Sequence, residues 1–243
     1  MNEIEKFRKE VEEGINAQGN NEPLKKAASA FMAESIKSKY SYNFTWLGRP
    51  IIQYPQDIIA IQEIIYQLQP DLIIETGIAH GGSLIFHASI CELIGKGHVL
   101  GIDIDIREHN KVEIENHQMS KRITMIQGSS VSPEIINTVK EMTQGKEKVL
   151  VILDSNHTHD HVLEEMKLYS PFVTKDSYLM VFDTIVEDIP EDLNFQRPWS
   201  VGNNPKTAVF EFLKTNTDFE IDHSVDNKLL ISVSPSGFLK KIK

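Results

Sequence analysis

Short apolar runs alternate with longer three- to four-residue periodicities along most of this chain. Strand-like runs fall at Leu72–Glu75, His98–Ile104, Ile123–Gln127, Val149–Asp154 and Tyr178–Asp183. They carry Ile, Val and Leu at both alternating positions, the pattern of strands covered on two faces. Helix-like stretches lie between them, near 84–94, 107–119, 132–143 and 158–170. Strand and helix in strict alternation predict an α/β fold: a doubly wound, mostly parallel sheet with helices on both faces.

The ends of the chain depart from this rhythm. Ile4, Phe7, Val11 and Ile15 repeat at helical spacing with Glu and Lys between them, Gly19-Asn20-Asn21 interrupts, and Pro23 restarts a second helix to about Lys39. Residues 1–45 are therefore expected to form a helical N-terminal extension that packs on the main domain or on a second subunit, which leaves homo-oligomer formation open. Residues 46–243 form the main domain. Residues 40 to 56 are irregular, and Asp57 opens a helix that ends before Pro70, with Ile58, Ile61, Ile64, Ile65 and Leu68 inward. Beyond Asp183, residues 184–204 lack periodicity, and a loop that long in a compact domain is more often functional than idle. A helix at Thr207–Leu213 follows. Phe219–His223 and Leu229–Val233, around a polar turn at Asp226-Asn227, are expected to close the sheet as an antiparallel C-terminal hairpin, making seven strands. Lys240, Lys241 and Lys243 read as a frayed tail.

Composition narrows the classes. With 243 residues, 40% hydrophobic and 25% charged, the chain suits one substantial globular core. A net charge of −10 argues against nucleic acid as a partner. One cysteine, Cys91, excludes an intrachain disulfide and a cysteine zinc site. The charged N-terminus lacks the apolar core of a signal peptide and no run reaches membrane-spanning length, so a cytoplasmic location without a membrane span is expected.

Candidate chemistry centres on Asp71 to Ser83, where an apolar run ends in Glu75 and turns through Gly77, Ala79, Gly81 and Gly82 into a helix with Ser83 in the N-cap position. Ligands of open parallel sheets bind beyond the carboxyl ends of the strands. Those ends here carry Glu75, Asp103, Gln127 followed by Gly128-Ser129-Ser130, Asp154 and Asp183. Two cofactors compete. Gly77-x-Ala79-x-x-Gly82 nearly matches a dinucleotide fingerprint, and Asp103 is well spaced to hold a ribose diol, which favours NAD. Glu75 argues the other way. A carboxylate before the turn repels a pyrophosphate but suits the cationic amino-acid end of S-adenosylmethionine, which the small residues Gly77, Ala79, Gly81 and Ser83 would accommodate.

Several motifs together resemble the cephalosporin hydroxylase (CmcI-like) family. They are Glu75-Thr76-Gly77 through Gly81-Gly82-Ser83, Gly101-Ile102-Asp103, Leu153-Asp154-Ser155-x-His157 and Phe182-Asp183-Thr184, with Trp46-x-Gly48-x-Pro50 upstream and Asn204-Pro205-x-x-Ala208 downstream. The resemblance implies a Rossmann-like class I methyltransferase fold, with S-adenosylmethionine held by Glu75, Gly77 and Gly81, ribose by Asp103 and the adenine side by Ser130. It also implies a magnesium ion on Asp154 and Asp183, with Asp154 reaching the cofactor as well. The family pattern has a glutamate where this chain has Phe182, and a glycine-proline run in place of Gly202-Asn203-Asn204-Pro205.

His157, His159 and His161 surround Asp160. His157, three residues past Asp154, is the candidate general base or a positioning partner of that aspartate; His159 and His161 read as helix-start or surface residues. His80 and the aromatics Trp46, Tyr54 and Trp199 flank the crevice as site walls or as anchors. The expected function is S-adenosylmethionine-dependent O-methylation of a sugar or secondary-metabolite hydroxyl. An NAD-linked oxidoreductase and a non-catalytic cofactor-binding module are the alternatives.

Overall fold

The computed structural model describes residues 2–193 and 196–243. Two helices, α1 (Glu3–Gly19) and α2 (Glu22–Lys37), precede a two-stranded ribbon, β1 (Thr45–Trp46) and β2 (Arg49–Pro50), and the helix α3 (Pro55–Leu68). Then follow β3 (Leu72–Thr76), α4 (Gly82–Ile94), β4 (His98–Asp103), α5 (Glu108–Glu115), β5 (Ile123–Gln127), α6 (Pro133–Thr143), β6 (Val149–Leu153), α7 (His159–Tyr169) and β7 (Tyr178–Val181). The chain closes with α8 (Pro205–Thr215), β8 (Phe219–Ile221), α9 (His223–Leu229) and β9 (Phe238–Lys241). The main sheet has seven strands in the order β5-β4-β3-β6-β7-β9-β8. β3 to β7 pair in parallel and β9 runs antiparallel to both β7 and β8.

β3 and β6 lie side by side at the centre and are buried at every position. One face of the sheet packs Ile73, Leu150 and Ile152 against α3 and α4, and the other packs Ile74, Leu100 and Val151 against α6, α7 and α8. The strand order reverses at β3, where β4 lies on one side and β6 on the other, and it is there that the crevice opens.

The C-terminal pair is antiparallel, as expected, but its second strand is Phe238–Lys241 and not Leu229–Val233. Residues 223–229 form α9, started by the Asp222 side chain, which accepts from Ser224 N. The apolar run that follows is a loop because buried Asp57 holds it: Ser232 Oγ donates to Oδ1 at 2.6 Å and Val233 N to Oδ2 at 3.0 Å. Lys240 and Lys241 are therefore strand residues and not a frayed tail. Lys241 Nζ donates to the Val173 carbonyl at 2.8 Å.

Both N-terminal helices form, α1 through an Asn2–Glu5 capping box. The inward face expected of α1 is largely uncovered: Ile4 is 66% and Phe7 65% exposed, and α1 meets the body through its last turn, where Gln18 Nε2 donates to the Asn227 carbonyl. Cys91 is buried, and burial pushes its thiol up to about 11, so it packs as an apolar side chain. Among the described residues no helix is long and apolar enough to cross a membrane.

Candidate active site

The loop after β3 is shaped by close approach. Gly77 has φ +92°, and a Cβ there would fall 2.1 Å from the Asp154 carbonyl oxygen. A Cβ on Gly82 would meet the Pro50 carbonyl at the same distance. The loop is thus gripped between the exits of β6 and β2, and Arg49 fastens it. Arg49 Nη2 donates to the His80 carbonyl at 2.7 Å and to Asn110 Oδ1 at 3.0 Å, while Asn110 Nδ2 donates to the Ala79 carbonyl at 2.9 Å. Ala79 itself takes a left-handed conformation, and Gly81, not Ser83, is the N-cap of α4. Ser83 turns inward from the second helical position and its hydroxyl donates to Glu75 Oε1 at 2.5 Å. The N-cap role expected for Ser83 is corrected accordingly: its hydroxyl holds Glu75, and the residue lines the small cavity beside the loop with Gly77, Ala79 and Gly81.

Glu75 is buried beneath this loop. Its Oε2 lies 3.1 Å from Nε2 of the equally buried His87 without a hydrogen bond forming. It lines a small cavity together with Gln53, Asp154 and Phe182. At the end of β4, Asp103 Oδ2 accepts from Ile78 N at 2.8 Å and Oδ1 from Asp105 N at 3.0 Å, so this carboxylate shapes the loop and keeps lone pairs for a further donor.

Asp154, His157 and Asp183 come together at the exits of β6 and β7. One ligand atom from each lies within 4.8 Å of the others. His157 Nε2 is 3.1 Å from Asp183 Oδ2, and Asp183 sits in the left-handed region with φ +54°, a strained conformation for a non-glycine residue. Burial holds the Asp154 carboxyl well above the usual carboxylate range, and repulsion from Asp183, Glu75, Glu165 and Asp57 adds to the rise. Gln53 Nε2 reaches Asp154 Oδ2 at 3.4 Å, while buried Gln53 Oε1 has no hydrogen-bond partner among the described residues. Two carboxylates, the His157 ring and an unpartnered amide oxygen are a donor set for a cation, and the oxygens suit a hard divalent ion. Phe182 supplies nothing to it. It is 2% exposed and packs edge-on against Phe238 at 6.5 Å.

Other expectations sort cleanly. Ser130 is buried at the exit of β5, with Oγ 3.3 Å from His161 Nε2. His161 lies in the first turn of α7, the helix-start position expected, and it also meets Ser155 Oγ at 3.2 Å and buried Glu165, whose hydrogen bond raises the imidazole pKa. His159 Nδ1 pairs with Thr207 Oγ1 at 2.8 Å and ties α7 to α8. Trp46 is an anchor, with Nε1 donating to Ser89 Oγ and its ring edge-on to Phe86 at 4.8 Å. Buried Tyr54 bonds Ser35, while Trp199 stands edge-on to His157 at 4.6 Å and is a wall of the site. Sequence reasoning passed over Gln53 and Glu165 and read Asp57 only as a helix start, because nothing local marks a buried polar residue whose partner is distant in the chain.

Asp57 lies behind the site, and burial pushes its carboxyl up to about 7, aided by Asp183 and opposed by the bonds from Ser232 and Val233. An unfolded aspartate titrates near 3.9, so between about pH 4 and pH 7 the folded state holds a proton that the unfolded state has released. Stability contributed by this group is lost as pH rises through that window, by at most about 1.4 kcal/mol per pH unit. A lower Tm at pH 7.5 than at pH 5.5 is expected, with a shallower slope in Asp57→Asn; thermal denaturation across pH reads both.

A parallel sheet reversing at β3, closed by an antiparallel pair and carrying a glycine loop with an acid on each side, is the architecture of class I methyltransferases. The family model described as Rhamnosyl O-methyltransferase/CmcI matches residues 38–242, and the chain belongs to that family. It is an S-adenosylmethionine-dependent O-methyltransferase, and the NAD-linked reading is set aside. Rhamnosyl O-methyltransferase of Mycobacterium leprae is 31% identical over 216 residues, 86% of this chain and 90% of the relative. The enzyme of that name from Mycobacterium tuberculosis (strain ATCC 25618 / H37Rv) is 29% identical over the same share of this chain and 84% of its own length. Among solved structures, apo CmcI superposes with a TM-score of 0.58 at 20% identity, covering 83% of this chain and 77% of that one. CmcI with Mg and SAM gives 0.58 at 20% identity over 83% and 78%. These likenesses speak for the fold.

Proposed function

We propose that this enzyme transfers a methyl group to a hydroxyl of a glycosyl acceptor, with a divalent cation on Asp154 and Asp183 and with His157 as the base. The observation that carries the reading is the meeting of Asp154, His157 and Asp183 beside the glycine loop. The acceptor class follows the rhamnosyl O-methyltransferases that the chain is similar to, and aromatic walls such as Trp199 suit a sugar ring.

When bound, S-adenosylmethionine supplies an electrophilic methyl on a sulfonium, and a divalent cation supplies Lewis acidity toward the acceptor hydroxyl. Glu75, Asp154 and Asp183 make the crevice strongly anionic, which favours both cationic ligands. Gly77, Ala79 and Gly81 let the backbone approach the methionine end, Asp103 takes the ribose hydroxyls and Ser130 borders the adenine. His157 accepts the hydroxyl proton on a ring nitrogen, and Asp183 at 3.1 Å from Nε2 stabilises the imidazolium that results. Gln53 and Trp199 hold Asp154 and His157 in place. Residues 1–45, on this reading, are an extension whose second helix and following turn wall the acceptor pocket.

His157→Ala is expected to lower kcat by about 10²- to 10⁴-fold with little change in acceptor KM, as read by steady-state methyl-transfer kinetics. The reading as a whole is tested by methyl transfer from labelled S-adenosylmethionine to a panel of 6-deoxyhexosides, with and without Mg²⁺ and chelator. Transfer that Mg²⁺ restores after chelation is the expected result. A panel in which no glycoside accepts a methyl overturns the acceptor assignment, and transfer indifferent to chelator overturns the metal.

A further inference from the structure

Next to the anionic crevice lies a second space of different character. A cavity of about 600 Å³ opens from His157 and Asp183 toward the N-terminal extension, with Tyr42, Tyr54 and Trp199 among its walls. It also holds two cations, Lys39 and Arg197, on opposite segments: the turn after α2 and the long loop before α8. Both are exposed, and among the described residues neither has a carboxylate within salt-bridge distance.

That is unexpected in a chain of net charge −10, with 35 acidic residues against 25 Lys and Arg. Here, among the described residues, a field of acids leaves two basic side chains outside its ion pairs at the mouth of one pocket. The backbone fixes where Lys39 leaves the chain, and an aromatic ring holds Arg197. Lys39 sits in the left-handed region at φ +53°, where it starts the turn at Tyr40–Asn43, and strained non-glycine residues cluster at ligand clamps. Arg197 lies over the Trp199 ring at 5.5 Å from its centroid, and that ring meets His157 at 4.6 Å. The guanidinium is thus one aromatic ring removed from the base.

We infer that Lys39 and Arg197 recognise an anionic group on the acceptor, about one sugar ring from the hydroxyl that is methylated. This rests on the glycosyl O-methyltransferase reading above and specifies its substrate class. The shared chemistry is a fixed oxyanion: a phosphoryl ester on the anomeric carbon or a sugar carboxylate. Arg197 offers planar paired donors and Lys39 a mobile point charge. The acids at the crevice floor repel the same group, so an anionic acceptor has one orientation in which charge is satisfied, with its neutral hydroxyl toward His157 and its anion toward the mouth.

The test is calorimetric binding to the full chain saturated with S-adenosylhomocysteine and Mg²⁺. Three probes are compared: a neutral methyl 6-deoxyhexoside, the matching anomeric phosphate and a methyl hexuronide. At low salt at least one anionic probe is expected to bind tenfold or more tightly than the neutral one. That advantage should fall below threefold in the Lys39→Ala/Arg197→Ala double variant and in 0.5 M salt. The phosphate and hexuronide arms tell the two anion sources apart. Neutral and anionic probes bound equally, or an advantage surviving the double variant, overturns the inference. Methyl transfer to the neutral glycoside, measured alongside, keeps that failure distinct from a failure of the glycosyl reading. Both residues are exposed, so the variant is expected to keep its Tm.

Discussion

Asp154→Asn is expected to reduce methyl transfer at least 10³-fold while changing S-adenosylhomocysteine affinity less than threefold and raising the Tm of the ligand-free enzyme. The three parts share one cause. Asp154 is a desolvated carboxyl facing Asp183 and Glu75, and its charge costs folding energy that only a bound cation recovers. The amide keeps the shape, lets Gln53 remain in contact at one end and removes the repulsion. On the proposed reading a bound cation would lose a ligand, and the acceptor hydroxyl would no longer be placed or acidified. Single-turnover kinetics, calorimetry and thermal denaturation separate the parts. Retained turnover would refute the assignment of Asp154, and a lowered Tm would refute the electrostatic account.

Gly77→Ala is expected to act on the other half of the site. The added methyl has no room, because its position lies 2.1 Å from the Asp154 carbonyl oxygen, a backbone atom of the central strand's exit. The residue must also hold φ +92°, which side-chain-bearing residues rarely adopt. Relief requires the loop to lift from β6, and the loop is also what Asp103, Arg49 and Asn110 fasten. Cofactor affinity is expected to fall by more than 100-fold, with a Tm several degrees lower. The contrast with Asp154→Asn is diagnostic: one variant binds and does not turn over, the other does not bind. Tight cofactor binding by Gly77→Ala would place the cofactor elsewhere.

The parallel part of the fold was legible in the sequence because each buried strand needs four or five apolar residues in a row and each helix a periodic face. The glycine loop and the strand-end acids were legible for the same local reason. The errors lie where distant partners decide. Leu229 to Val233 has the composition of a strand, yet Asp57 captures Ser232 and Val233 and leaves a loop. Phe238 to Lys241 ends in two lysines and resembles a tail, yet Phe238 and Leu239 are fully buried. Ser83 carries an N-cap residue type, but Gly81 occupies the cap and the hydroxyl serves Glu75. Gln53 arrives from an irregular segment 101 positions before Asp154, and Lys39 and Arg197 lie in irregular segments before and after the five parallel strands. Side chains that meet through loops leave no period to read.

The position of β9 has a consequence for how the molecule is made. Pairing places β9 between β7 and β8, so β8 reaches the sheet only through a strand that is translated after it. While residues 238–241 are still inside the ribosome, β7 presents an open apolar edge and β8 has nothing to pair with. The nascent chain can settle β3 to β7 early, but closure waits for those four residues. Removing them would strand two elements at once and leave an unprotected sheet edge available to a neighbouring chain.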